Sequence, residues 1–230
     1  MANGSGLFSD EGPLKPHLLR GGGVGGEVAD LRRDVGDTVT PMTAMTVDEH
    51  TNVATADTDA IVAVGTASVA GATTLSGAAL DGVLGSGTMD PARNVSITTS
   101  DSAATWAAQN VVFTGTDVND QPISETIAIA NNATTAGTSA FASVTSVVMN
   151  AVDAAGTYGL GFGILMGLNK LIVARAGLTG LIREIETGVL VTTGTIAASA
   201  AGLPNGTYDA ANPPNATRDY AIYYEYDPTA

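Results

Sequence analysis

The stretch from Val111 to Ile129 reads VVFTGTDVNDQPISETIAI, and it decides which fold class the sequence predicts. Two runs rich in β-branched residues flank a segment of turn formers, Asp117 to Pro122. A segment of this kind between two strand-like runs indicates a β-hairpin, because Asn, Asp and Pro favour the backbone angles of tight turns. The sequence therefore predicts an antiparallel hairpin near the middle of the chain.

Similar runs recur on both sides of this hairpin and are separated by Gly, Asn, Asp and Pro. Short strands with turn signals between them are typical of an antiparallel sandwich or barrel. The chain shows no fixed-period repeat and no long helical pattern after residue 60, so we predict a mainly β domain over residues 53–230. The candidate strands are Ile61–Val64, Asn94–Thr99, Asn110–Gly115, Ile123–Ile129, Ala142–Met149, Tyr158–Met166, Leu171–Ala174, Leu181–Glu186, Val189–Thr193 and Tyr220–Tyr226.

Residues 1–52 differ from this pattern, since they are polar, rich in Gly and interrupted by prolines. This composition predicts an extended N-terminal arm. Within it, Val28, Leu31 and Val35 have the i, i+3, i+7 spacing of one apolar stripe on a short helix. An isolated helix of this length is marginal in water, so the stripe needs a surface to lie on. We therefore expect these three residues to bind a partner.

Charge and composition exclude several classes of function. The net charge is −14, and no Lys or Arg occurs between Arg93 and Lys170, so a nucleic-acid partner is not expected. The chain has no cysteine, which excludes disulfides and thiolate chemistry.

The first residues, Met1 to Ser5, do not predict a secretory signal. The uncharged stretches Ala60 to Leu80 and Ala154 to Asn169 contain too much Gly, Ser or Thr to predict membrane helices.

The composition also bears on the oligomeric state. Aromatic residues make up only 5% of the chain, although hydrophobic residues make up 44%. A core of small and β-branched side chains gains little free energy per residue from burial. We therefore expect part of the stability to come from contacts with other chains.

No motif predicts a cofactor or a metal. Gly21 to Gly26 satisfies the GxGxxG pattern, but no strand precedes it and no βαβ unit surrounds it, so we interpret it as a hinge. His17 and His50 are the only histidines, and neither has a second ligand at metal-binding spacing. Both are predicted to be solvated residues of the arm.

The acidic residues indicate turns more strongly than chemistry. Asp117 and Asp120 stand singly in a loop, and no two carboxylates are singled out as a pair for sugar hydrolysis. Their loop has alternating oxygen ligands but lacks the Gly and the distal Glu of a calcium loop. We interpret both as exposed turn residues and predict that the protein is not an enzyme, with no catalytic residues.

The C-terminal run contains four of the six tyrosines, Tyr220, Tyr223, Tyr224 and Tyr226. On a strand, Tyr223 faces one way and the other three face the opposite way. A strand with amphipathic rings on both faces is either central in a sheet or covered by a partner. We therefore predict that these four tyrosines are partner-binding residues.

Short blocks along most of the chain carry a family resemblance. They are Pro91–Ile97, Val112–Asp117, Ser124–Ile127, Ala140–Ser146, Leu203–Tyr208 and Arg218–Tyr220, together with the arm segment Gly21–Val35. These blocks resemble virion structural proteins of tailed phages. Among such proteins the chain is most similar to capsid decoration, or cement, proteins.

The resemblance implies a subunit that binds the outside of the major capsid protein lattice and stabilises it. The implied partners are the major capsid protein and further copies of this chain, as a homotrimer, and the implied location is the outer capsid surface after synthesis in the host cytoplasm. A tail-tube or head-to-tail connector subunit is the alternative within the structural class. A receptor- or carbohydrate-binding module would need exposed aromatics at a concave site, and a glycan hydrolase would need two convergent carboxylates with perturbed pKa values.

Overall fold

The computed structural model describes residues 44–68, 71–100, 109–152, 156–170, 172, 181–198 and 206–226. The predicted mainly β, antiparallel fold is confirmed, and no α-helix occurs within these ranges. A short 3-10 turn spans Gly77–Ala79. The strands are β1 (Ala44–His50), β2 (Asp57–Thr66), β3 (Thr73–Ser76), β4 (Thr88–Ser100), β5 (Asn110–Thr116), β6 (Pro122–Ala128), β7 (Thr134–Met149), β8 (Thr157–Gly167), β9 (Leu181–Glu186), β10 (Val189–Val191), β11 (Thr195–Ala197), β12 (Thr207–Asp209) and β13 (Tyr220–Tyr226).

The strands form two sheets in which the paired strands are antiparallel. The larger sheet has the order β11-β12-β8-β4-β7-β5-β6, with β2 also paired to β8 and β3 also paired to β7. The smaller sheet has the order β1-β13-β9-β10. The long strands β4, β7 and β8 lie at the centre of the larger sheet, and the sheets curl into a half-barrel.

The predicted central hairpin is confirmed. β5 and β6 pair from Asn110 opposite Ala128 to Thr116 opposite Pro122. The turn between them is closed by the Asp117 amide, which donates to the Gln121 carbonyl oxygen at 2.9 Å. The register places Val111 opposite Ile127, so one face of the hairpin contributes apolar side chains to the core.

Two clusters of buried side chains form the interior. The larger one contains residues of the central sheet such as Val95, Phe113, Phe141 and Leu160. The smaller one lies beneath β13 and the end of β8, and its members are Val53, Met166, Leu168, Ile172, Tyr208, Tyr220, Ile222 and Tyr224. Ile and Val predominate in the larger cluster, as expected for alternating strands with one buried face.

Most candidate strands correspond to observed strands, although β4 and β7 begin six and eight residues before the predicted starts. The candidate Leu171–Ala174 falls almost wholly outside the described residues, and Ile172 is not in a strand. Four observed strands were not predicted: β1, β3, β11 and β12. Three of these are only three or four residues long, and β1 lies in a polar segment that the sequence assigned to the arm.

The N-terminal arm was predicted to reach residue 52. Residues 1–43, which include Val28, Leu31 and Val35, lie outside the described residues, so the short helix and its docking role stay predictions. The seven residues of β1 all pair with β13. The β domain therefore begins by Ala44, upstream of the predicted boundary.

Candidate functional site

The C-terminal strand β13 contains Tyr220, Tyr223, Tyr224 and Tyr226, which the sequence predicted to bind a partner. β13 lies between β1 and β9, so it is central in its sheet, one of the two predicted arrangements. Tyr220 and Tyr224 are only 2% and 0% exposed because they fill the smaller core cluster. Tyr223 lies on the opposite face of the strand, and Tyr226 shares the face of Tyr220 and Tyr224. Both Tyr223 and Tyr226 are half-buried. A partner could therefore contact Tyr223 and Tyr226, whereas Tyr220 and Tyr224 are buried within the chain.

The face of the smaller sheet that carries Tyr223 is called the outer face below. The register places Val47 opposite Tyr223, and it places Ile185 between Ala221 and Leu190. Residues directly opposite one another on antiparallel strands share a face. The apolar residues of the outer face are therefore Met45, Val47, Ala221, Tyr223, Ile185 and Leu190, and its charged residues are Glu49, Glu225 and Arg183.

Large apolar side chains on the outer face are open to solvent. Met45 is 63% exposed, Leu190 is 54% exposed and Val47 is 40% exposed. They lie on both edge strands, with half-buried Tyr223 and Ile185 between them. Exposed apolar side chains grouped on one face of a sheet are a candidate interaction site. Sequence reasoning missed it because Met45 and Val47 belong to the segment that was interpreted as an arm, although their alternation is a strand signal.

The structure brings together two carboxylates that the sequence did not single out. Glu184 and Glu186 are two residues apart on β9, so they share the inner face of the smaller sheet, where they are 1% and 6% exposed. Burial is the main reason why the pKa of Glu184 is raised above its usual value, and the neighbouring Glu186 carboxylate raises it further. Burial also raises the pKa of the adjacent Tyr208 hydroxyl. The spacing i, i+2 on a predicted strand was the available signal.

Hydrogen bonds show what this pair does. The two oxygens of Glu184 accept from the Gly194 amide at 3.1 Å and the Ala211 amide at 3.2 Å. Those of Glu186 accept from the Asn212 amide at 2.9 Å and the Asn212 side chain at 2.6 Å. All four carboxylate oxygens thus accept hydrogen bonds that hold two loops, at Gly194 and at Ala211 and Asn212, against β9. Because the carboxylates are also shielded from solvent, the geometry supports a structural role for them.

Two cavities adjoin near the start of β4, and we call them together the β4 groove. The larger has a volume of about 390 Å³, and its polar lining includes Glu49, His50 and Asp120. The smaller has a volume of about 120 Å³ and includes the buried Arg93. Both are lined by Thr88, Met89 and Pro91. The larger cavity therefore presents acceptors suited to N–H or cationic groups, and the smaller one presents a cation.

The predicted solvated position of His50 is wrong. His50 is the last residue of β1, pairs with Tyr220 of β13 and is half-buried, with its Nε2 atom enclosed. The reason is that the polar segment before residue 52 ends in a strand. His17 lies outside the described residues.

The expected exposure of Asp117 is also wrong. Asp117 is 2% exposed, and its Oδ1 atom accepts from the Asn119 amide and the Gln121 amide, both at 2.8 Å. The carboxylate is thus enclosed by the turn that it stabilises, which supports turn chemistry over calcium binding. Asp120 is exposed, as expected, and has a positive φ of 59°.

Within the ranges given above, no group of three or more His, Asp or Glu side chains is placed to hold a metal ion. The described residues also contain no helix with the length and hydrophobicity that a membrane crossing requires.

Comparison with known proteins adds no family. No protein-family model, curated protein or solved structure matches this chain. The outer face, the β4 groove and the sequence blocks described above therefore provide the basis for a functional proposal.

Proposed function

We propose that this chain is a structural subunit of a tailed-phage virion, a decoration protein that binds the outside of the major capsid lattice and stabilises it. The observation that carries the proposal is the outer face, on which the large apolar side chains of Met45, Val47 and Leu190 lie open to solvent. The partner in this proposal, the major capsid protein, is the one implied by the resemblance of the sequence blocks to decoration proteins. A role in binding accounts for this surface, and catalysis does not.

Charge determines which partner surface suits the outer face. Glu49 and Glu225 accompany a single cation, Arg183, on this face, and the whole chain has a net charge of −14. A second copy facing the same surface would bring two acidic rims together, which is unfavourable. We therefore assign the outer face to the capsid lattice, at a site with neutral or basic residues around an apolar centre.

Self-association as a homotrimer belongs to the same proposal, through surfaces other than the outer face. It rests on the composition of the core, in which small and β-branched residues predominate. Sedimentation velocity at micromolar concentration tests it, and a trimer is the expected species. A monomer would contradict the trimer but would not contradict capsid binding.

Aromatic exposure bears on the carbohydrate-binding alternative. Among the described residues, every Phe and Tyr side chain is buried or half-buried, and the half-buried ones are Phe162, Tyr223 and Tyr226. Glycan sites stack sugar rings on accessible aromatic faces around a concave surface. The described part of the chain lacks that arrangement, which favours a protein partner.

The test uses capsids that lack this chain and purified protein added back to them. Val47→Asp places a charge among the exposed apolar side chains of the outer face, and we expect capsid binding to weaken by about a hundredfold because an unpaired charge would be buried. Val83→Asp is the matched control, since Val83 is 92% exposed and lies in the connection between β3 and β4. It should bind like the wild type.

Electron microscopy of the same particles gives the location. Density on the outside of the capsid is expected with the wild type and with Val83→Asp, and its loss is expected with Val47→Asp. Equal binding of both variants would contradict the role of the outer face. Density confined to the tail or to the head-to-tail junction would overturn the decoration assignment in favour of a tail or connector subunit.

A further inference from the structure

Arg93 is an arginine in the interior of the protein. It lies on the central strand β4 and is 2% exposed. Its Nη1 atom donates to the Ala54 carbonyl oxygen at 2.9 Å, and its Nη2 atom donates to the Gly163 carbonyl oxygen. The guanidinium carbon lies 5.1 Å from the centre of the Phe162 ring. The side chain is therefore held in place by neutral groups.

The guanidinium has fewer partners than its chemistry allows. An arginine has five N–H donors, but among the described residues only two acceptors bond to Arg93, and its buried Nε atom has none. No described carboxylate lies within ion-pair distance of it. Burial lowers its pKa to about 10, so the group is still a cation at neutral pH. A buried cation with no anion among the described residues is unusual, because buried charges are generally paired.

The smaller cavity of the β4 groove lies against this cation. Apart from Arg93, its lining is mainly apolar and includes Leu84, Met89, Pro91 and Phe162, with the polar Thr88. Its volume of about 120 Å³ is that of roughly four water molecules. A molecule that fits must be small, with an apolar body, and the cation selects an anionic head.

We propose that Arg93 and the smaller cavity of the β4 groove form a binding site for a carboxylate with a short apolar body. A carboxylate supplies the missing acceptors, since it accepts charge-assisted hydrogen bonds from a guanidinium. The group can belong to a free short-chain acid or to the terminus of a polypeptide that enters the groove. This site is independent of the outer face and of the decoration role.

The test is a titration of the full 230-residue chain, labelled with ¹⁵N, with butyrate at constant ionic strength. We expect the Arg93 Nε–H resonance to move and saturate, with a dissociation constant on the order of 1 mM, as befits a ligand of this size. The Arg218 resonance should not move, because that guanidinium already lies 4.0 Å from Glu186. Butyramide, which has the same shape but no charge, should bind at least about tenfold more weakly.

Two variants keep the test independent of folding defects. Leu84→Trp fills the cavity from a half-buried position and leaves Arg93 in place, and it should abolish the butyrate shift. Arg93→Lys keeps the charge but loses the planar donors, and it should weaken binding by about tenfold. Because this variant has no Arg93 resonance, its binding is followed by the backbone amide of Met89, which lines the same cavity. An unchanged response of Leu84→Trp, or equal binding of butyrate and butyramide, overturns the proposal.

A parallel titration distinguishes the two sources of the carboxylate. N-acetyl-Ala-Ala with a free carboxyl terminus represents a polypeptide end, and its C-terminal amide is the control. Saturation by butyrate alone assigns the site to free acids, and tighter binding of the peptide acid assigns it to a chain terminus. If neither acid moves the Arg93 resonance, the site does not exist.

Discussion

The Tyr224 hydroxyl donates to the Asp48 carboxylate at 2.8 Å, and the two residues are 176 positions apart in the sequence. Asp48 also accepts from the Asn169 amide at 2.8 Å and the Asn169 side chain at 3.1 Å, while the Lys170 amide donates to the Tyr224 oxygen at 3.2 Å. The network joins β1, β13 and the chain after β8 beneath the smaller sheet. It explains how a buried aspartate is tolerated at the edge of the domain.

Tyr224→Phe should destabilise the fold, because it removes one donor to the buried carboxylate and leaves the Lys170 amide without its acceptor. The expected loss is about 1–3 kcal/mol in the free energy of unfolding. Urea denaturation followed by tyrosine fluorescence or circular dichroism measures it. Tyr223→Phe is the matched control on the outer face, and it should stay within about 0.5 kcal/mol of the wild type.

The sequence predicted much of the position of β13 but not its neighbours. Tyrosines on both faces of β13 predicted a strand that is central in its sheet or covered by a partner, and the structure has it central. That β1 is one of its two neighbours could not be predicted, since Asp48 and His50 make that segment polar. Their polar groups are accommodated by partners far away in the sequence, such as Tyr224 and Asn169, and pairing over such distances leaves no local signal.

Asp117→Ala tests the turn of the central hairpin. The substitution removes the acceptor for the amides of Asn119 and Gln121, so we expect a loss of about 1–3 kcal/mol in the free energy of unfolding. Asp120→Asn is the control, since Asn tolerates the positive φ of this exposed position. Equal stabilities of the two variants in urea would show that the carboxylate of Asp117 does not stabilise the turn.

The carboxylates show a similar limit of sequence reasoning. The spacing of Glu184 and Glu186 on a candidate strand was visible, and it places them on one face. The burial of these two carboxylates could not be predicted from the sequence, because it depends on the loops at Gly194 and Asn212, which fold over β9. The exposure of Asp117 was predicted wrongly for a different reason: its carboxylate is enclosed locally, by the amides of its own turn.

Gly161→Ala should disrupt the pairing of β2 with β8. A Cβ atom at Gly161 would lie 1.9 Å from the Asp57 carbonyl oxygen and 2.6 Å from the Thr58 carbonyl carbon, so the two strands would have to separate. We expect a loss of at least about 2 kcal/mol, typical of overpacking against backbone. Gly71→Ala is the control, since no atom lies within 4 Å of its added Cβ. Thermal denaturation of the two variants should differ clearly, and similar midpoints would contradict the close approach.

Glu184→Gln tests the raised pKa of the buried carboxyl through the pH dependence of stability. Because burial raises the pKa of Glu184 in the folded state above its usual 4.5, the folded chain binds this proton more tightly than the unfolded chain does. The contribution of Glu184 to stability is therefore fully present below pH 4.5 and is lost as the pH rises through the folded-state pKa. Gln resembles the protonated acid and does not titrate. The free energy of unfolding of the wild type should thus fall relative to that of Glu184→Gln as the pH increases from 4.5 to 7.

Urea denaturation at pH values across this window measures the difference, and taking the difference cancels the titration of groups common to both proteins. Ile185→Val is a control on the adjacent residue, and because it removes no ionisable group its stability should run parallel to that of the wild type at every pH. The titratable groups that face Glu184 are Glu186, whose carboxylate raises the pKa of Glu184 further, and Tyr208. A wild type that gains stability over Glu184→Gln as the pH rises would mean that the hydrogen bonds from Gly194 and Ala211 outweigh burial, and that the pKa of Glu184 is lowered instead.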